Sequence, residues 1–238
     1  MKFKAPIDIH EATVEHFQPR DTQGQVLPDA VIGTLAVAVK KTRENTEALV
    51  SLADALSRDK AVTPEANALR LRDSALRLAE ASAKKLDEAK AHAEEEIAAL
   101  EQHIGTPPPP RDQLAVSMEV EIRSRLATMS DADRDKAIEG AFANKDQAVL
   151  SAVVRGAAFL SGMSPARYSM ARHRYGALFH PEEMARRDRL KNALDATERS
   201  GKSFINFVTL MATNQTVTLA EAHANARAAE QAIAAATL

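Results

Sequence analysis

One long stretch without helix breakers constrains this chain more than any other feature. Residues 63–104 contain no glycine, and their one proline, Pro64, stands where a helix would begin and no backbone N–H is needed. Thr63 before it suits the N-cap position. The stretch therefore predicts a single helix, which at 1.5 Å per residue would be roughly 60 Å long.

Within this stretch, two series of residues recur at steps of seven, the second offset by three from the first. The series are Leu69, Leu76, Ala83, Lys90, Ile97, Ile104 and Arg72, Ala79, Leu86, Ala93, Leu100. This a/d spacing predicts a heptad seam along which another helix packs. Leu76 and Leu86 are both expected to be buried in that seam.

The expected partner is the preceding segment, residues 29–59, which opens at Pro28 and Asp29. Residues at steps of three and four form its packing face: Ile32, Leu35, Val39, Thr42, Thr46, Leu49, Ala53 and Leu56. Because only residues 60–62 separate the two helices, they are predicted to form an antiparallel hairpin. The shorter helix reaches only about as far as residue 94 of the longer one, so residues 95–104 are predicted to overhang.

Shorter helices are predicted after a proline-rich segment. Four consecutive prolines at 107–110 favour a stiff extended spacer. Helical patterns follow over 112–129, 130–143, 146–161, 164–180 and 181–213. Gly162 suits a left-handed cap, and Thr218 with Glu221 would form a capping box for a last Ala-rich helix.

These patterns predict an all-α protein with no convincing strand. Its architecture would be a long antiparallel coiled-coil hairpin followed by a smaller helical bundle, with an extended N-terminal arm. The predicted divisions are an arm over 1–27, a hairpin over 28–104, a spacer over 105–111 and a bundle over 112–238.

Composition narrows the classes of function. Aromatic residues make up only 4% of the 238 residues, and small-molecule sites are usually lined by such groups, which argues against an enzyme or a small-molecule substrate. The absence of cysteine excludes disulfides and thiolate metal sites. The N-terminus is charged and lacks the apolar segment of a signal peptide, and the chain has no apolar run long enough to span a bilayer. The sequence therefore predicts a protein that is neither secreted nor transmembrane, with no membrane partner.

No motif in the sequence predicts catalysis, a cofactor or a metal. Residues 199–203 resemble the end of a phosphate-binding loop, but Ala196 stands where that motif needs glycine, so Gly201 is expected inside a helix. The seven histidines form no HExxH pair and no close set of ligands with carboxylates. The sequence therefore predicts no catalytic residues, no cofactor and no metal site.

Apolar residues at two places predict an interface. The arm over 1–27 either is disordered or lies on its own helices or on a neighbouring subunit, and its apolar content favours an ordered arm. The overhang would expose an apolar stripe, which usually marks an interface. The expected contact, between subunits of a homo-oligomer, comprises Phe3, Ile7, Phe17, Ile97, Leu100 and Ile104.

A basic second helix offers an alternative. Residues 146–178 read as helix, glycine-containing turn and helix, and a helix-turn-helix module places such a second helix in the major groove. The net charge of −2 shows no global attraction to nucleic acid. The residues of this alternative, a DNA- or RNA-binding accessory protein, are Arg167, Arg172, Arg174, Arg186, Arg187, Arg189 and Lys191.

Residues 130–196 resemble uncharacterised all-helical proteins of tailed bacteriophages and prophages that are encoded among virion genes. The likeness lies in the capped short helix, in AVLSAVVRGAAFLSGMS and in HPEEMARRDRLKNALDA. It carries no catalytic motif. The resemblance implies a structural, non-enzymatic virion or head-assembly protein, with other virion proteins as partners, located in the virion or in the host bacterial cytoplasm.

Overall fold

Helices form the regular structure of residues 3–213 and 215–236, which are the residues that this computed structural model describes. Those ranges contain no β-strand; they contain one isolated β-bridge, between Arg20 and Val26. The predicted all-α class is confirmed. The elements are α1 Ala12–Glu15, α2 Ala30–Arg58, α3 Pro64–Gly105, α4 Gln113–Thr128, α5 Asp131–Ala143, α6 Gln147–Arg155, a short 3₁₀ helix Ala158–Ser161, α7 Pro165–Phe179, α8 Pro181–Ala212 and α9 Gln215–Ala236.

Side-chain caps explain where several helices begin. Four residues at the predicted helix starts have side-chain oxygens that accept a hydrogen bond from a first-turn backbone N–H: Asp29, Thr63, Ser130 and Ser164. The capping box predicted for the last helix is wrong, because α9 begins at Gln215 and Thr218 therefore lies inside it. Gly201 lies within α8, as expected.

The chain divides into two compact units. The first combines the described residues of Met1–Glu94 and Arg189–Leu238, and the second is Glu95–Asp188. This division falls inside α3 and α8 and differs from the predicted boundary at 105–111. In the second unit the carbonyls of Pro107 and Pro108 accept hydrogen bonds from the Arg155 guanidinium, so the proline segment is tied into that unit's packing.

An antiparallel hairpin of α2 and α3 is the frame of the first unit. The Asn45 amide donates to Ser82 Oγ at 2.9 Å, and the Asn67 amide donates to the Leu56 carbonyl at 3.1 Å. Residue numbers thus fall along one helix as they rise along the other, as predicted. The core contains residues of α2, α3, α8 and the N-terminal arm, among them Leu49, Ala75, Phe204, Met211 and Ile9.

The packing face of α3 follows an 11-residue repeat rather than the predicted heptad. Its buried or partly buried positions are separated by four, four and three residues in turn: Asn67, Leu71, Ala75, Leu78, Ser82, Leu86, Ala89, Ala93, Ile97, Leu100 and Ile104. Eleven residues in three turns lie closer to the 3.6 residues per turn of a straight helix than seven in two. Leu86, 6% exposed, is buried as expected, whereas Leu76 is 50% exposed and its seam assignment is wrong.

The N-terminal arm lies on its own helices in the first unit. Ile9 and Val14 are buried, and both oxygens of the Glu11 carboxylate accept hydrogen bonds from Arg43 of α2, at 2.8 and 2.9 Å. The Ser200 hydroxyl of α8 donates to the Asp8 carbonyl at 2.9 Å. Among the sequence alternatives, the structure therefore favours an arm packed within its own chain.

The predicted interface residues of the arm differ in accessibility. The Phe3 ring packs edge-on against Phe207 of α8, with centroids 6.5 Å apart. Phe17 is partly buried, and Ile7 is almost fully exposed. Of these three side chains, only Ile7 is largely accessible to a second chain.

The second unit has its own core, formed by α4 to α7, which includes Leu126, Phe142, Val153 and Tyr175. The helix predicted over 146–161 is interrupted at Gly156, where a Cβ atom would lie 2.7 Å from the Arg123 side chain. Arg123 in turn donates to the Ala152 carbonyl at 3.2 Å. The left-handed conformation expected at Gly162 is confirmed by a φ of 68°.

None of the described helices is both long enough and apolar enough to cross a bilayer.

Candidate functional site

Carboxylates pair with several arginines of the predicted nucleic-acid face. Arg167 Nη2 lies 3.0 Å from a carboxylate oxygen of Asp135, and Arg186 Nη1 lies 2.6 Å from Glu96. All four residues belong to the second unit. These pairs offset positive charge that a phosphate contact would use.

Arg174 is the most strongly engaged of these arginines. Its guanidinium donates hydrogen bonds to both oxygens of Glu139 and stands 4.1 Å from the centroid of the Phe142 ring. The hydrogen bond from Arg174 lowers the pKa of Glu139, and the same bond raises the pKa of Arg174. This arginine holds α7 against α5 within the second unit.

The remaining basic residues occupy varied environments. Arg187 Nη2 lies 2.6 Å from Asp188, and Arg172 donates to the carbonyl of the last residue of α3 at 3.4 Å. Arg189 has a buried Nε atom, Lys191 is exposed, and both belong to the first unit. Four of the seven basic residues, Arg167, Arg174, Arg186 and Arg187, therefore lie in ion pairs with carboxylates of their own chain.

The overhang of α3 is buried rather than exposed. Ile97, Leu100 and Ile104 are only 7%, 9% and 5% exposed. A Cβ atom at Gly176 of α7 would lie 2.5 Å from Ile104 Cγ2 and 2.9 Å from Met184 Sδ. The expectation of an exposed interface stripe here is wrong, because the missing side chain of Gly176 lets α7 approach the end of α3.

An exposed stripe lies instead on α9. Leu219, Ala222, Ala226 and Ala229 recur at steps of three and four and are exposed, as are all residues over 221–233. Such spacing places the four side chains on one face of the helix. The spacing of these residues is that of a helix face that packs against another helix, but their side chains are exposed to solvent.

Contacts with the first unit anchor the start of α9. Val217 and Ala220 are each 2% exposed, and Arg72 of α3 forms an ion pair with Glu221. Among the α9 side chains that the structure describes, the buried ones lie in the first two turns, and the body of the helix presents its stripe to solvent.

A cluster of two histidines and a glutamate forms in the second unit. His103 Nε2 lies 3.9 Å from Glu183 Oε1, and His180 Nδ1 lies 3.8 Å from the same oxygen. One ligand atom from each residue lies within 4.8 Å of the other two. The expectation that no histidines would gather with a carboxylate is wrong, because the fold brings together residues from two distant segments.

The corner between α7 and α8 positions two of the three residues. The His180 N–H donates to the Gly176 carbonyl at 2.7 Å, and the His180 carbonyl accepts from the Met184 N–H at 3.0 Å. His180 thus ends one helix and caps the next. Glu183, three residues later in the first turn of α8, points to the same side.

Aromatic packing restricts the orientation of His180. The Tyr175 ring lies 6.1 Å from the His180 ring and 4.7 Å from Phe179. His103, in the last turn of α3, presents its ring to His180 at 5.1 Å and 72°. The cluster therefore combines a half-buried imidazole held by its neighbours with a more exposed imidazole and a partly exposed carboxylate.

A local signal for two of the three cluster residues was present in the sequence. His180 and Glu183 stand three residues apart across Pro181, which favours the start of a helix. His103 had no such signal, because its proximity depends on tertiary packing. Comparisons of the chain with protein-family models, with curated proteins and with solved structures found no match.

Proposed function

We propose that this chain is a structural, non-enzymatic protein of the bacteriophage virion or of head assembly, which acts by helix-mediated self-association and by contacts with other virion proteins. The observation that carries the self-association is the exposed apolar stripe of α9. The phage class is supported by the resemblance of residues 130–196.

The composition of α9 suits a helix that stays folded alone and then pairs. Alanine has the highest helix propensity, so the helix needs no partner to form. Alanine at the contact positions also lets two helix axes come close, and burial of Leu219 with the alanines contributes about 25 cal/mol per Å² of apolar surface. The stripe therefore favours another helix as its partner.

A second copy of α9 in antiparallel orientation fits the flanking charges. In such a pair Ala226 packs opposite Ala229 of the second copy. The positions beside the stripe then bring His223 of one copy near Glu230 of the other, and the two-fold symmetry repeats this contact. A parallel pair would place these residues beside the uncharged Thr218 or Asn225, so we propose the antiparallel arrangement.

Substitution of Ala226 by glutamate tests the pairing. In the full chain, analytical ultracentrifugation should show a concentration-dependent dimer. Ala226→Glu should weaken that dimer at least about tenfold, because it places an unpaired charge in the contact. Circular dichroism should show unchanged helix content, since residue 226 is exposed in the single chain.

The matched control is Ala228→Glu, which adds the same charge to the same helix outside the stripe. It should dimerise like the parent chain. A parent chain that stays monomeric at every concentration, or two variants that dimerise equally, would contradict self-association through this stripe. Mass spectrometry of phage particles and their precursors, from a phage that encodes the chain, tests the viral assignment: absence from both would contradict it.

The nucleic-acid alternative gains no support from the arginines, because Arg167, Arg174, Arg186 and Arg187 face carboxylates of their own chain. A mobility-shift assay at low salt distinguishes the two functions. Retarded DNA or RNA whose retardation weakens as salt rises would favour the alternative.

A further inference from the structure

We propose that His103, His180 and Glu183 bind one zinc-type divalent transition-metal ion. This inference is independent of the proposed assembly function and uses only the second unit. It starts from the placement of two imidazole nitrogens and one carboxylate oxygen within 4.8 Å of one another.

The distances within the cluster are close to those of a metal site. Zinc bonds of about 2.0–2.2 Å in a tetrahedron place the ligand atoms roughly 3.4 Å apart. The two histidine–glutamate distances, 3.9 and 3.8 Å, exceed that separation by only about half an ångström. The two imidazole nitrogens lie within 4.8 Å of each other. Closing the cluster around an ion would require rotation of His103 and Glu183, the two more exposed side chains.

The donor set selects the class of metal. Imidazole nitrogen is a preferred ligand of zinc and its neighbours, whereas magnesium and calcium prefer oxygen donors. Two imidazoles and one carboxylate provide three of the four positions of a tetrahedral zinc ion, and water completes the fourth. The metal would join the last turn of α3 to the first turn of α8.

The Glu183 carboxylate lies close to the two histidines of the cluster. Its ion-pair contacts are His103 and His180. The two arginines one turn later are paired elsewhere, Arg186 with Glu96 and Arg187 with Asp188. A cation would therefore meet a carboxylate whose contacts, among those of the described residues, are with two imidazoles.

The test is calorimetric titration of Zn²⁺ into the full chain, purified without a histidine tag and treated with a chelator. The chain should bind one Zn²⁺ per molecule, and Zn²⁺ should raise its melting temperature. His103→Ala and Glu183→Gln each remove a direct ligand. Each should weaken binding by more than the roughly 10- to 100-fold typical of losing an outer hydrogen-bond partner.

Two matched controls exist in the same unit. His173→Ala removes an exposed histidine of α7, and Glu182→Gln neutralises the carboxylate next to Glu183. Both should bind Zn²⁺ like the parent chain. Absence of one-to-one binding, or binding and thermal stabilisation that both ligand variants retain, would overturn the proposal. Circular dichroism of each variant without metal establishes that it is folded. Glu183→Gln is the safer of the two substitutions because glutamine has nearly the same shape as glutamate.

Discussion

The end of α3 and the body of α9 are two apolar stripes on long helices, and only the first is covered within the chain. Ile97, Leu100 and Ile104 were expected at an interface but are buried, whereas Leu219, Ala222, Ala226 and Ala229 are exposed. An apolar stripe on a helix thus shows that something packs there, without showing whether the partner lies in the same chain.

The side chains and their surroundings account for the difference. Isoleucine and leucine gain more by burial than alanine does, so the end of α3 contributes more to folding when it is covered. Ile104 and Met184 both lie close to Gly176. The alanines of α9 offer little area each, and their burial becomes favourable mainly when a second helix covers several at once.

Two leucines of α3 should give the largest contrast between a covered and an uncovered position. Leu86→Asp should lower the free energy of unfolding by roughly 3–5 kcal/mol, because it buries an unpaired charge. Leu76→Asp, at a half-exposed position, should lower it by less than about 1 kcal/mol. Urea denaturation measures both.

This pair also distinguishes the two repeats. A heptad seam predicts that both aspartates destabilise strongly, whereas the 11-residue repeat predicts the contrast. Equal losses of stability would show that the packing face of α3 is the heptad one.

Two glycines of the second unit test how tightly the end of α3 is covered. Gly176→Ala should destabilise by about 1–3 kcal/mol, since its Cβ would overlap Ile104 and Met184. Gly140→Ala, in the last turn of α5 with open space around it, should stabilise by about 0.5–1 kcal/mol. Thermal melting of both variants checks the signs, and a neutral Gly176→Ala would mean that the contact is looser than described.

The ion pair of Glu11 with Arg43 allows a test of whether the N-terminal arm packs on its own helices. Hydrogen bonds from Arg43 lower the pKa of Glu11 from 4.5 to about 2. The ionised carboxylate therefore stabilises the fold above pH 4.5, and this contribution is lost as the pH falls toward 2. Glu11→Gln should melt below the parent chain at pH 7 and approach it as the pH falls; a difference independent of pH would contradict the pairing.

The smallest effect is expected where α9 is anchored. Glu221 is about half exposed in its ion pair with Arg72, and exposed pairs contribute about 0–1 kcal/mol. Glu221→Gln should therefore shift the melting temperature of the single chain only slightly. A shift as large as that of Gly176→Ala would show that this ion pair, and not mainly the burial of Val217 and Ala220, anchors the start of α9.

Local features of the sequence determined most of the fold. Capping residues such as Asp29 and Ser164, the absence of glycine in 63–104 and the short connection at 60–62 predict helices and an antiparallel hairpin from neighbouring residues alone. The all-α class follows because each of these signals acts within a few residues. The sequence did not determine which face of α3 is buried, since a 7-residue repeat and an 11-residue repeat imply nearly the same number of residues per turn.

Tertiary structure alone decided which surfaces are covered and which polar side chains meet. The burial of Ile104 depends on Gly176, and the meeting of His103 with His180 and Glu183 depends on the placement of α3 beside the α7–α8 corner. The pairing of Arg174 with Glu139, residues of two different helices, likewise depends on how α7 packs beside α5. Such contacts join residues far apart in the chain, and helical periodicity reports only the face on which a residue lies, not what lies opposite it.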